Sequence, residues 1–165
     1  MSTSNQILVI DVNVIIHLEK AGLLDELIND KNIRIVDLVL YDEYQFKKNL
    51  ISDKVERIKM VTLDEKQVNE ASNLYQENKR NSFYDYCSYI VARDNNYSLL
   101  TGDWKLKKCI GDDVEVHGAI WYAQCLRAKN IINDEQLKNA YTIWLNDTQV
   151  FMPEDILANL IIEME

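Results

Sequence analysis

The run Ile7-Leu8-Val9-Ile10 carries a branched apolar residue at every position and stops at Asp11, the pattern of a short strand covered on both faces. Strands of that kind belong to parallel sheets, whose crossover connections put helices on both sides. The rest of the chain alternates accordingly. Val12–Lys20 has Val14, Ile15 and Leu18 at helical spacing and Gly22 to close it, and Leu23–Ile28 adds a turn or two. Ile33–Val36 reads as the second strand, after which Asp37 caps a helix through Leu38, Leu40, Tyr41 and Tyr44 with Glu43 inside it. Ile58–Leu63 is the third strand. Asp64 caps a helix over Glu65–Lys79, Ser82 caps the next to about Asn95, and Ser98–Thr101 is the fourth strand. Trp104–Cys109 is a short helix and Val114–Val116 a fifth, edge strand. Gly118–Lys129, Asp134–Leu145 and Pro153–Met164 each read as helical. The expected fold is α/β: a three-layer α/β/α sandwich with a central, mainly parallel sheet, plus C-terminal helices.

A chain of 165 residues with 47% hydrophobic content is sized for one core, and its single proline and four glycines mark no linker. One domain is expected over residues 1–165, with an α/β core to about residue 117 and a helical extension from about 118. The polar opening Met1–Gln6 lacks the basic and apolar regions of a signal peptide, and no apolar run approaches the roughly 20 residues that span a bilayer. Cys87, Cys109 and Cys125 form an odd set without a C-x-x-C pair, which argues against a disulfide framework and a zinc site. A cytoplasmic protein without membrane partners is the expectation.

Acids stand where the chain changes from one element to the next: Asp11 after the first strand, Glu43 after Val39-Leu40-Tyr41, Asp85 in Ser82-Phe83-Tyr84-Asp85, and Asp103 after Leu99-Leu100-Thr101-Gly102. In an open parallel sheet the carboxyl ends of the strands share one edge, so acids placed there converge on one crevice. Crowded carboxylates repel one another and favour a hard cation, with Mg²⁺ or Mn²⁺ the natural choice. Each acid also has a plainer reading. Asp11 and Asp103 suit helix N-caps, Ser82 with Asp85 matches a capping box, and Glu43 suits a solvated helix face.

The net charge of −9 opposes a nucleic-acid partner, because polyanion affinity comes largely from Lys and Arg. The distribution is uneven. Residues 79–108 hold six basic and three acidic residues, a net +3, and include Asp85 and Asp103. Lys79, Arg80, Arg93, Lys105, Lys107 and Lys108 are therefore candidates for a phosphate path, with solvated helix faces as the plainer alternative.

These segments resemble the PIN-domain nucleases, including the VapC-type toxins of prokaryotic toxin–antitoxin pairs. The resemblance rests on Ile7–Asn13, Val39–Glu43, Ser82–Tyr86 with Ile90-Val91-Ala92, and Ser98–Asp103, while Val116–Trp121 resembles a stand-alone prokaryotic branch. It implies a metal cluster of Asp11, Glu43, Asp85 and Asp103, supported by Asn13, Thr101 and Ser82, with Asp42 as the alternative to Glu43. It further implies Mg²⁺- or Mn²⁺-dependent hydrolysis of RNA, with Arg93, Lys105, Lys107 and Lys108 as substrate-binding candidates, and an antitoxin or a second copy as partner. Trp121, Tyr122, Leu126, Trp144 and Phe151 are the apolar surface such a partner would use.

Three other readings compete with this one. A receiver-type phosphoacceptor needs a second acid where Val12 stands and a strand ending in Asp near residues 50–60, whereas Asp53 sits in a polar stretch. A haloacid-dehalogenase-type phosphatase needs Asp-x-Asp where the chain has Asp11-Val12-Asn13. A catalytically inactive binding or assembly module is the remaining alternative, favoured by the negative charge and helical tail. His17 and His117 lack metal-ligand spacing and read as structural, and Cys87 reads as buried packing.

Overall fold

The computed structural model describes residues 6–43 and 53–165. Its sheet comprises β1 (Leu8–Ile10), β2 (Ile33–Val36), β3 (Lys59–Val61), β4 (Ser98–Leu100) and β5 (Val116–His117), in the order β3-β2-β1-β4-β5 with every pairing parallel. Apolar side chains on both faces account for this arrangement: all of β1 and β4 is buried. β1 lies against β4 with Leu8 opposite Ser98 and Ile10 opposite Leu100. From β1 the chain moves outward through β2 and β3, then returns to the other side of β1 for β4. The topological switch therefore falls between the carboxyl ends of β1 and β4, where open α/β sheets form their ligand crevices.

Helices flank the sheet in a three-layer α/β/α sandwich. They are α1 (Val12–Lys20), α2 (Leu24–Asn29), α3 (Glu65–Glu77), α4 (Phe83–Asn95), α5 (Trp104–Ile110), α6 (Ala119–Ala128), α7 (Asp134–Asn146) and α8 (Glu154–Glu163). Capping boxes start α3 at Asp64 and Gln67, α4 at Ser82 and Asp85, and α7 at Asn133 and Gln136. α4 packs across β1, β2 and β4 with α3 against it, while α1 packs with α6 and α7. Because a short link joins Asn95 to Ser98, the opposite, N-terminal end of α4 lies toward the carboxyl edge of the sheet.

The C-terminal helices share the core. Tyr122 and Trp144 are fully enclosed, the Tyr122 hydroxyl donates to Asp30 Oδ2 at 2.7 Å, and Trp144 Nε1 donates to the His17 carbonyl at 2.8 Å. Tyr122, Leu126 and Trp144 are thus packing residues rather than a free partner surface, whereas Phe151 is 91% exposed. No helix among the described residues is long and apolar enough to cross a membrane.

Two local expectations are corrected. The segment after β2 is helical from Asp37 as expected, but it is α-helical only at residues 37–38 and widens into a π-helical turn over Val39–Glu43; Tyr44 lies outside the described residues. β5 sits at Val116–His117 rather than Val114–Val116, because pairing with Leu99 and Leu100 defines this edge strand and its own side-chain pattern does not.

Candidate active site at the sheet edge

Register brings Asp11 beside the loop that carries Asp103. Since Ile10 lies beside Leu100, the next residues, Asp11 and Thr101, leave the sheet side by side, and Asp103 follows two positions later. Asp11 is buried and caps α1, accepting from the Asn13 amide through Oδ1 at 3.3 Å. Its Oδ2 accepts from the buried Thr101 hydroxyl at 3.1 Å, and the same hydroxyl oxygen accepts from the Asp103 amide at 3.2 Å. Thr101 therefore ties the carboxylate after β1 to the loop after β4. Asp103 caps α5, with the amides of Lys105 and Leu106 both donating to Oδ1 at 2.9 and 3.3 Å. No donor among the described residues reaches its Oδ2. Capping and binding are thus compatible for this residue, each using its own oxygen.

A second group of acids gathers at the start of α4. Asp85 completes the capping box, its Oδ2 accepting from the Ser82 amide at 2.8 Å while the Asp85 amide donates to Ser82 Oγ at 3.1 Å. Asp42, on the π-helical turn, accepts from the Tyr84 hydroxyl at 3.5 Å. Asp37 accepts from the Leu38 amide at 2.7 Å and from the Thr62 hydroxyl at 2.9 Å, which fixes it at the carboxyl end of β2. Cys87 marks their proximity: burial first, then the charges of Asp37, Asp42 and Asp85, push its thiol up to about 12. A thiol so held is neutral at physiological pH, in keeping with a packing role. The Glu43 side chain lies outside the described residues. Asp37 is a site neighbour that sequence reasoning took only for a cap; its position directly after a strand, shared with Asp11, was the available signal.

The cationic candidates divide. Arg93 stands in the last turn of α4, away from Asp85, and its guanidinium makes a bidentate pair with Glu70 at 2.6 and 2.7 Å plus a bond to Asp94 at 2.9 Å. Those bonds hold the Glu70 and Asp94 carboxyls below their usual range. Arg93 is committed to this cluster rather than placed beside the acids. Lys105, Lys107 and Lys108 lie exposed on α5, directly after Asp103. His117 stacks on Trp121 with ring centroids 3.6 Å apart and has Nε2 2.8 Å from Glu115 Oε1. The side chain of Asn13 is exposed beside Asp11.

The donor chemistry suits a hard divalent ion. Mg²⁺ is commonly held by one or two carboxylates with water completing its shell, and the crevice offers carboxylate and hydroxyl oxygens. Among the described residues, no three His, Cys, Asp or Glu side chains stand close enough together to hold an ion. Asp11 and Asp103 are the acids best placed at the switch point, and further carboxylates lie on the α4 side. Comparison with family models and with curated proteins finds no match.

Proposed function

We propose that this chain is a Mg²⁺- or Mn²⁺-dependent endoribonuclease of the PIN type, acting as the toxin component of a toxin–antitoxin pair. The observation that carries the reading is the junction of Asp11 and Asp103 through Thr101 at the switch point of a parallel sheet. Asp11 and Asp103 would hold the ion, with Asp85 and Glu43 completing the set that the resemblance implies. When bound, the metal lowers the pKa of its water and neutralises charge on the phosphodiester. The protein's part is positional. Thr101 fixes the Asp11 carboxylate, the α5 amides fix Asp103 through Oδ1, and Lys105, Lys107 and Lys108 supply positive charge beside Asp103 for the RNA backbone.

An inert binding module is the second reading, favoured by the capping duties of Asp85 and Asp103 and by the lack of a three-ligand group among the described residues. Incubation with end-labelled single-stranded RNA separates the two. The nuclease reading expects fragments in Mg²⁺ or Mn²⁺ and none in EDTA. Intact RNA under all conditions, together with an unfolding temperature unmoved by Mn²⁺, supports the inert module.

A further inference from the structure

Beside Asp103 opens a cavity of about 380 Å³, bounded by the loop after β4, the start of α6 and the N-terminal half of α8. Aromatic rings from three segments stand in a wall that is otherwise mainly aliphatic. Trp104 follows Asp103 and is 63% exposed, the stacked His117 and Trp121 rings form another side, and Phe151, just before α8, and Ile156, in its first turn, close it. Lys107 also lines it, with Nζ 4.9 Å from the centre of the Trp104 ring. Exposed flat rings, a cation over one of them and an acid on the same wall form a more specific set than a packing defect between helices.

We propose that this cavity receives one unpaired base of single-stranded RNA, from the nucleotide next to the phosphate engaged at Asp11 and Asp103. Three features choose this occupant. Single-stranded nucleic acids are bound where aromatic rings offer stacking faces beside cations that follow the backbone, and Trp104 with Lys107 supplies both. The volume lies near the small end of the roughly 300–1,000 Å³ range of small-ligand pockets, which suits a single ring system. Asp103 lines the cavity and follows the strand beside Asp11, so a base seated here would lie next to the loop that carries the Asp103 carboxylate. A duplex has no free base to offer, and the site accordingly selects unpaired RNA.

The inference rests on the nuclease reading, and binding measured without metal keeps the two separable. The full-length chain is titrated in EDTA with a fluorescein-labelled RNA hexamer and with the same hexamer carrying abasic nucleotides. The intact RNA should bind more tightly than the abasic one, and Trp104→Ala should weaken it by about 5- to 150-fold while leaving abasic binding unchanged. Ile156→Trp, which fills the cavity from a position 51% exposed, should have the same selective effect. Equal affinity for intact and abasic RNA, or indifference to both substitutions, overturns the proposal, as does failure of either RNA to bind. A dimer in sedimentation that both substitutions dissociate also overturns it, because a second copy would then occupy the cavity. Base-dependent binding without Mg²⁺-dependent cleavage would retain the pocket and remove the nuclease; cleavage without base dependence would do the reverse.

Discussion

Asp11 and the loop that carries Asp103 reach the carboxyl edge of the sheet by strand register, whereas Asp42 and Asp85 assemble beside Asp37 through helix packing. The first pair depends on the alignment of β1 with β4, two strands with fully buried side chains. The second group depends on a π-helical turn and on how the start of α4 sits over it. Such a group adjusts when a helix shifts. The comparison teaches that acids set by a parallel register are pinned by the core itself, so the register-set pair is the natural anchor of a site and the helix-set group its adjustable side.

Substitutions that spare the fold test this division most strongly. Asp11→Asn or Asp103→Asn should reduce RNA cleavage to the uncatalysed background, because each amide keeps an oxygen for capping but loses the charge. Full-length RNA on a denaturing gel after long incubation in Mn²⁺ is the expected result. Thr101→Val comes next. It removes the buried hydroxyl shared by the two halves of the anchor and should cost about 1–3 kcal/mol in a urea titration. Metal affinity should fall roughly 10- to 100-fold, as for other residues that orient ligands. Ser82→Ala, on the adjustable side, should cost about 1 kcal/mol of stability through loss of the capping box and leave measurable cleavage. If Ser82→Ala proves as damaging to activity as Thr101→Val, the distinction between anchor and adjustable side fails.

The smallest effect belongs to the other end of α4. Arg93 lowers the carboxyl pKa values of Glu70 and Asp94 from their ordinary 4.5 and 3.8, so the folded state gives up these protons more readily than the unfolded chain. The stabilisation is present at neutral pH and is lost as pH falls through the carboxylate range. Arg93→Met should therefore flatten the acid limb of the stability profile while leaving cleavage at neutral pH unchanged. An Arg93→Met variant that lost RNA binding would return Arg93 to the substrate path.

The elements governed by local chemistry were legible in the sequence. Ile33–Val36 has the boundaries its apolar run implies, and Asp64 and Ser82 start the helices expected of them, because short apolar runs and caps are encoded over a few neighbouring residues. The placement of Asp11 and Asp103 follows the same local logic: Asp11 directly follows a short apolar strand, and Asp103 follows another after the Thr101-Gly102 turn. What depends on partners distant in the chain was not. The π-helical turn at Val39–Glu43, the shift of β5 to its pairing partners and the commitment of Arg93 to Glu70 all arise from tertiary contacts. The cavity draws Trp104, His117 and Phe151 from three separate segments, and their spacing along the sequence carries no sign of it.

Titration calorimetry of Mn²⁺ into the wild-type chain, Asp11→Asn and Asp103→Asn, paired with melting curves in EDTA, tests the central claim most directly. If the two acids form one metal-holding anchor, the wild type binds Mn²⁺ and is stabilised by it, and both variants lose that binding. In EDTA both variants melt at or above the wild-type temperature, because removing one carboxylate charge relieves repulsion at the sheet edge. Wild-type Mn²⁺ affinity in either variant, or a variant that unfolds in EDTA because its aspartate served only as a helix cap, would contradict the account.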